Sequence, residues 1–169
     1  VIAPYVGTST LVWTSLIGII LASLSVGYWW GGKLADKNPS IVHVIRALFM
    51  AGILVGVVAF LQPLVGIVAN ITGSIRVNAV LSSIIFFAPA TIAFGTVSPL
   101  IARLRIISVE SSGQTVGRLY ALSTIGSILG TFLGGFFLIS YFGTTKILLL
   151  LAVVALLNSG LLFVFHKKQ

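Results

Sequence analysis

From Ile147 to Phe165 the chain runs through nineteen residues without one charge. A spanning helix needs roughly 20 mostly apolar residues, because a 30 Å hydrocarbon core is climbed at 1.5 Å per residue. Five segments meet that demand, at about 11–30, 44–61, 78–101, 119–139 and 147–165. Each is far longer than the ~9–11 residues of a barrel strand, and none alternates with period two. The expected fold is therefore all-α, a single polytopic transmembrane helical bundle over residues 1–169 with five spans. The stretch Gln62 to Arg76 is different, because its apolar part, Pro63 to Ile71, is too short to span. It reads as a short interfacial or re-entrant helix, or as an apolar loop packed on the bundle.

Composition agrees. The chain is 58% hydrophobic and 7% charged, with a mean hydropathy of +1.19. Soluble domains carry about 25% charged residues. This excludes a soluble enzyme, a disulfide scaffold and a nucleic-acid module. With no cysteine there is no thiolate nucleophile and no Cys-ligated zinc or iron–sulfur site. The net charge of +8 sits between the apolar runs, where it suits anionic lipid headgroups and sets topology.

Eight of the ten basic residues fall in alternate connections or at the C-terminus: Lys33, Lys37, Arg46, Arg103, Arg105, Arg118, Lys167 and Lys168. Only Arg76 and Lys146 lie on the other side. The positive-inside rule makes the first set and the C-terminus cytoplasmic, and the expected location is a prokaryotic inner membrane, crossed several times. Val1 then lies outside. The opening residues do not resemble a cleaved signal sequence, so an upstream helix is expected before Ala3.

Glycine spacing predicts close helix packing. Gly126, Gly130 and Gly134 share one face of the fourth span, beside Gly135, Ser123, Ser127 and Thr131. Ser23, Gly27 and Gly31 repeat the pattern in the first span, and Gly52 and Gly56 in the second. Packing inside one protomer is the main expectation for these faces, with dimerisation or helix sliding as alternatives. Pro89 and Pro99 interrupt the third span, where Thr91, Gly95, Thr96 and Ser98 are small or polar. A kinked helix is expected there, either simply bent or bordering a polar cavity. Trp13 and Tyr28-Trp29-Trp30 mark the two ends of the first span, as interfacial aromatic belts do.

No Lys, Arg, Asp, Glu or His lies near the middle of any span; the two acids, Asp36 and Glu110, fall in connections. That argues against a proton-coupled mechanism carried by these helices alone. Asn158 is the one amide deep in a span and is expected to bridge helices. His43 and His166 have no second ligand at metal spacing, and no phosphate-binding glycine loop exists. No catalytic constellation, metal site or cofactor site is expected. Asn70-Ile71-Thr72 matches a glycosylation pattern that is common by chance.

The stretch Gly31-Gly32-Lys33-Leu34-Ala35-Asp36-Lys37 resembles the glycine–leucine–aspartate–basic loop of the major facilitator superfamily. In such a place Asp36 can cap a helix or pair with a cytoplasmic arginine, and Arg118 is the arginine to test. Ala3-Pro4-Tyr5-Val6-Gly7-Thr8-Ser9, Trp13, Gly27 to Gly32, Ser98-Pro99-Leu100-Ile101 and Gly117 to Ser127 extend the likeness. With Gly130-Thr131 and Gly134-Gly135-Phe136, they resemble the membrane region of bacterial and archaeal spermidine-synthase-like proteins over about Ala3 to Gly143. The resemblance implies a facilitator-like six-helix half, a helix before Ala3, and a soluble aminopropyltransferase-like domain fused or encoded nearby. Aminopropyl transfer needs a Rossmann-type domain that this sequence lacks, so the chain is not expected to be an enzyme. The functional expectation is a membrane module that anchors a soluble partner or moves a small molecule such as a polyamine. Alternatives are a structural subunit of a larger membrane complex, or a half-size transporter acting as a homo-oligomer.

Overall fold

The computed structural model describes residues 10–61, 64, 67, 74–106 and 112–167. Every described element is helical. Helix α1 spans Thr10–Lys37, α2 Ile41–Phe60, α3 Ile75–Phe86, α4 Ala88–Arg105 and α5 Ser112–Phe132. A π-helical segment, Leu133–Leu138, joins α5 to α6, Ile139–Lys167. The chain is thus a membrane protein by helix length and composition. Three helical runs are long and apolar enough to cross a bilayer, and a fourth crossing is possible if α3 and α4 act together.

Helix ends follow local chemistry. The α1–α2 turn is Asn38-Pro39-Ser40, and a residue before proline is pushed away from helical geometry. Ser40 then caps α2, its hydroxyl accepting from the Val42 N–H at 3.2 Å. The stretch Gly31 to Lys37, expected to open a loop, instead continues α1 to its end. Long lysine side chains can snorkel to headgroups from a helix that runs into the interface, so the apolar run ends before the helix does.

Helices α3 and α4 meet at Phe87 with a bend of 52°. Pro89 stands in the first turn of α4, where its missing N–H is tolerated, and it prevents α3 from running straight through. Pro99 lies inside α4. The Thr91 hydroxyl donates to the Phe87 carbonyl at 2.8 Å, and Thr96 donates to Ala93 at 2.7 Å. A second break lies in α6 at Gly143, whose φ of 71° and ψ of 163° suit only glycine.

Helix α4 is the centre of the bundle, packed against α1 and α2, while α6 lies along α2 and α3 returns to α1. Buried side chains are mostly small. Apart from Leu100 and Val44, the largest fully enclosed ones are Ser82 and Ser83. Ala35, Val44 and Leu100 form one cluster, with Leu162 packed against it. It brings together the end of α1, the start of α2 and the ends of α4 and α6, so the basic termini of these helices share one end of the bundle. Large apolar side chains such as Phe60, Tyr120 and Phe165 face outward, as expected where lipid is the solvent.

Candidate functional site

At that basic end, α1, α4 and α5 surround a cavity of about 430 Å³. Helix α1 contributes Tyr28, Gly32 and Asp36; α4 contributes Ser98, Pro99 and Arg103; α5 contributes Leu119 and Tyr120. Three segments far apart in sequence, around Gly32, Ser98 and Leu119, therefore meet at one place. The lining combines one carboxylate, one guanidinium, two phenols and a hydroxyl with apolar surface, a set suited to holding a polar molecule or a peptide loop.

The close approach of α1 and α4 builds this cavity. A Cβ on Gly27 would collide with the Ile92 carbonyl oxygen and lie 2.9 Å from the Gly95 Cα. One on Gly31 would lie 2.6 Å from the Thr96 carbonyl oxygen and 2.8 Å from the Pro99 ring. Both glycines meet backbone, so neither position has room for a side chain. Gly32, one residue on, has open space beside it and faces the cavity.

The other sequence-predicted residues separate. Lys33 places its Nζ 3.7 Å from the centre of the Trp29 ring, a cation–π contact one turn back on α1. Lys37 occupies the last turn of α1, where a cation complements the helix dipole. Asp36 and Arg118 are not brought into an ion pair: Arg118 lines a neighbouring hollow with Arg105 and Leu122, while Arg103 shares the cavity with Asp36. On α5 the cavity is lined by Val116, Leu119 and Tyr120, and Arg118 stands on a different part of the helix surface. Glu110, Lys168, Ala3 to Ser9 and Asn70 to Thr72 lie outside the described residues.

Two expectations need correction, the seating of the fourth-span glycines and the bridging by Asn158. Gly126, Gly130 and Gly134, expected to seat against a helix of the same chain, have nothing within 4 Å of a built Cβ. No residue of α5 is buried. Asn158, expected to bridge helices, is exposed and donates to the Val154 carbonyl of its own helix at 2.8 Å. The interhelical bond comes from its neighbour: Ser159, buried, donates to the Ile45 carbonyl of α2 at 2.9 Å. The spacing Ala152, Ala155, Ser159 marks this small-residue face and could have located it in the sequence. The bend near Pro89 and Thr96 opens on a mainly apolar groove, whereas the more polar cavity lies at Pro99.

Among the described residues no three metal-ligating side chains cluster. Comparison with protein-family models, with curated proteins and with solved structures found no match.

Proposed function

We propose that this chain is the membrane module of a spermidine-synthase-like system, crossing the bilayer five times and anchoring a soluble partner at its basic, cytoplasmic end. Five crossings are favoured by length. The helical run Ser112–Lys167 has 56 residues, about 84 Å at 1.5 Å per residue, against a core of about 30 Å. Its break at Gly143, close to Lys146, is the natural turning point. The bent α3–α4 pair supplies one further crossing. Placing the shared basic end in the cytoplasm follows from the positive-inside rule.

One observation carries the functional reading. Three of the segments that resemble the spermidine-synthase-like membrane region, around Gly32, Ser98 and Leu119, meet around one cavity, and that cavity opens at the basic end. A docking loop from a soluble protein, or a small polar molecule, would find both charges and aromatic rings there.

Purification from native membranes, with mass-spectrometric identification of what accompanies the chain, tests the proposal. The expected companion is a soluble transferase, lost when Asp36 and Arg103 are replaced by Asn and Gln. Recovery of no soluble protein, with uptake of polyamine into liposomes, would instead establish transport. A second reading has its own support in the bare face of α5, which suits a subunit assembled with helices from other chains. Recovery of a membrane complex without a soluble member would favour it.

A further inference from the structure

A second groove, of about 450 Å³, runs between α1, α2 and α4 on the side of the bundle away from the first cavity's Asp36. Its α2 wall descends from His43 through Arg46 and Met50 to Leu54. Eleven residues of helix separate the first from the last, about 16 Å at 1.5 Å per residue. That matches one leaflet of a 30 Å hydrocarbon core. Trp30 and Met50 on its rim are exposed, so the groove opens sideways, toward lipid.

Polarity along the groove is graded. The deep end is closed by Leu54 and Pro89, while the shallow end carries Arg46 and His43, one turn apart on α2. No acid lines it. The His43 Nδ1 is buried without a hydrogen-bond partner, so the imidazole is not committed to another side chain of the bundle. The capped N-terminus of α2 adds the positive end of a helix dipole at the same level.

We infer that this groove seats one anionic phospholipid of the leaflet at the basic end, its phosphate held by Arg46 beside His43 and one acyl chain lying along Met50 toward Leu54. The charge at the head, the apolar wall and the depth of a single leaflet each fit that occupant. A soluble anion would use the head of the groove and leave the rest empty. The inference takes only the choice of leaflet from the membrane reading above.

Native mass spectrometry of the chain in detergent, supplied with phosphatidylglycerol or phosphatidylcholine of identical acyl chains, tests it without a bilayer. The expected result is one phosphatidylglycerol retained at an activation energy that strips phosphatidylcholine. Arg46→Gln lowers that retention about tenfold, the effect of losing one charge-assisted hydrogen bond, and Arg46→Lys loses less. Arg105→Gln, at the other hollow, leaves retention unchanged. Ala47→Phe, which fills the wall of the groove, lowers it as well, and glycerol phosphate does not compete. Equal retention of the two lipids would overturn the inference, as would an unaffected Arg46→Gln or an equal loss in Arg105→Gln. Displacement by glycerol phosphate would show an anion site without a lipid seat. Failure here leaves a soluble companion at the first cavity untouched, because the two sites share no lining residue.

Discussion

Helices α1 and α5 both carry small residues at four-residue spacing, and they differ completely in what those residues do. On α1, Gly27 and Gly31 lie against the backbone of α4, with Gly95 and Thr96 facing them. On α5 and the π-helical segment that follows it, a Cβ on Gly126, Gly130 or Gly134 would meet no other part of the described chain within 4 Å. Spacing therefore defines a face that another helix can approach; it does not define which helix comes. On α1 the matching element is a second glycine: a Cβ on Gly95 would lie 3.1 Å from the Gly27 Cα. Two bare backbones meet, and in lipid such close packing replaces the hydrophobic drive that water would supply.

Breaking the filled face should have the largest effect. Gly27→Leu forces α1 and α4 apart where the obstacle is backbone, at a cost of at least about 3 kcal/mol, the upper range for overpacking. The expected outcome is loss of the monodisperse peak in detergent size-exclusion chromatography. Gly52→Ala sharpens the contrast. Its Cβ would lie 2.9 Å from the Leu156 Cγ and 3.2 Å from the Ala152 carbonyl oxygen, a milder conflict than the backbone contact at Gly27, so a melting shift below that of Gly27→Ala is expected. Equal shifts would mean that backbone contact is not what sets α1 against α4.

Gly143 tests a different use of glycine, through conformation. Its φ of 71° with ψ of 163° is strained for any side chain although the space beside it is open. Gly143→Ala should cost about 1–3 kcal/mol, read as a lower melting temperature with no change in oligomeric state. A variant as stable as the parent would mean that the α5–α6 run does not turn here.

Much of this architecture is legible in the apolar runs, because lipid penalises unpaired backbone so heavily that long apolar stretches can only be helices. The bend at Phe87 is signalled by Pro89, and the α1–α2 turn by Pro39 with Ser40. The end of the apolar run does not mark the end of its helix, since α1 continues through Lys33 to Lys37. Nor is the cavity signalled, because Gly32, Ser98 and Leu119 become neighbours only through the packing order of α1, α4 and α5. Asn158 shows how polarity misleads. The amide is the conspicuous group, yet the face that packs on α2 is marked by Ala152, Ala155 and Ser159. Ser159→Ala should cost only about 0.6 kcal/mol, the average for such bonds between membrane helices, and Asn158→Leu should cost nothing measurable in the detergent-solubilised monomer. A larger loss from Asn158→Leu than from Ser159→Ala would reverse that assignment.

The smallest expected effect on the monomer is also the one that separates the two faces most sharply. Gly130→Leu adds a large side chain where a Cβ would meet no neighbouring element of the described chain within 4 Å, so the melting temperature of the monomer should not move. If α5 meets a helix of another chain, as the assembly reading requires, the same change should remove the larger species from crosslinked native membranes. Gly27→Leu gives the opposite pattern, because unfolding takes everything with it. A Gly130→Leu chain that assembles as the parent does would leave α5 facing lipid alone, with its glycines serving no contact. A chain that unfolds would show that α5 packs within its own protomer after all, as Gly27 and Gly31 do.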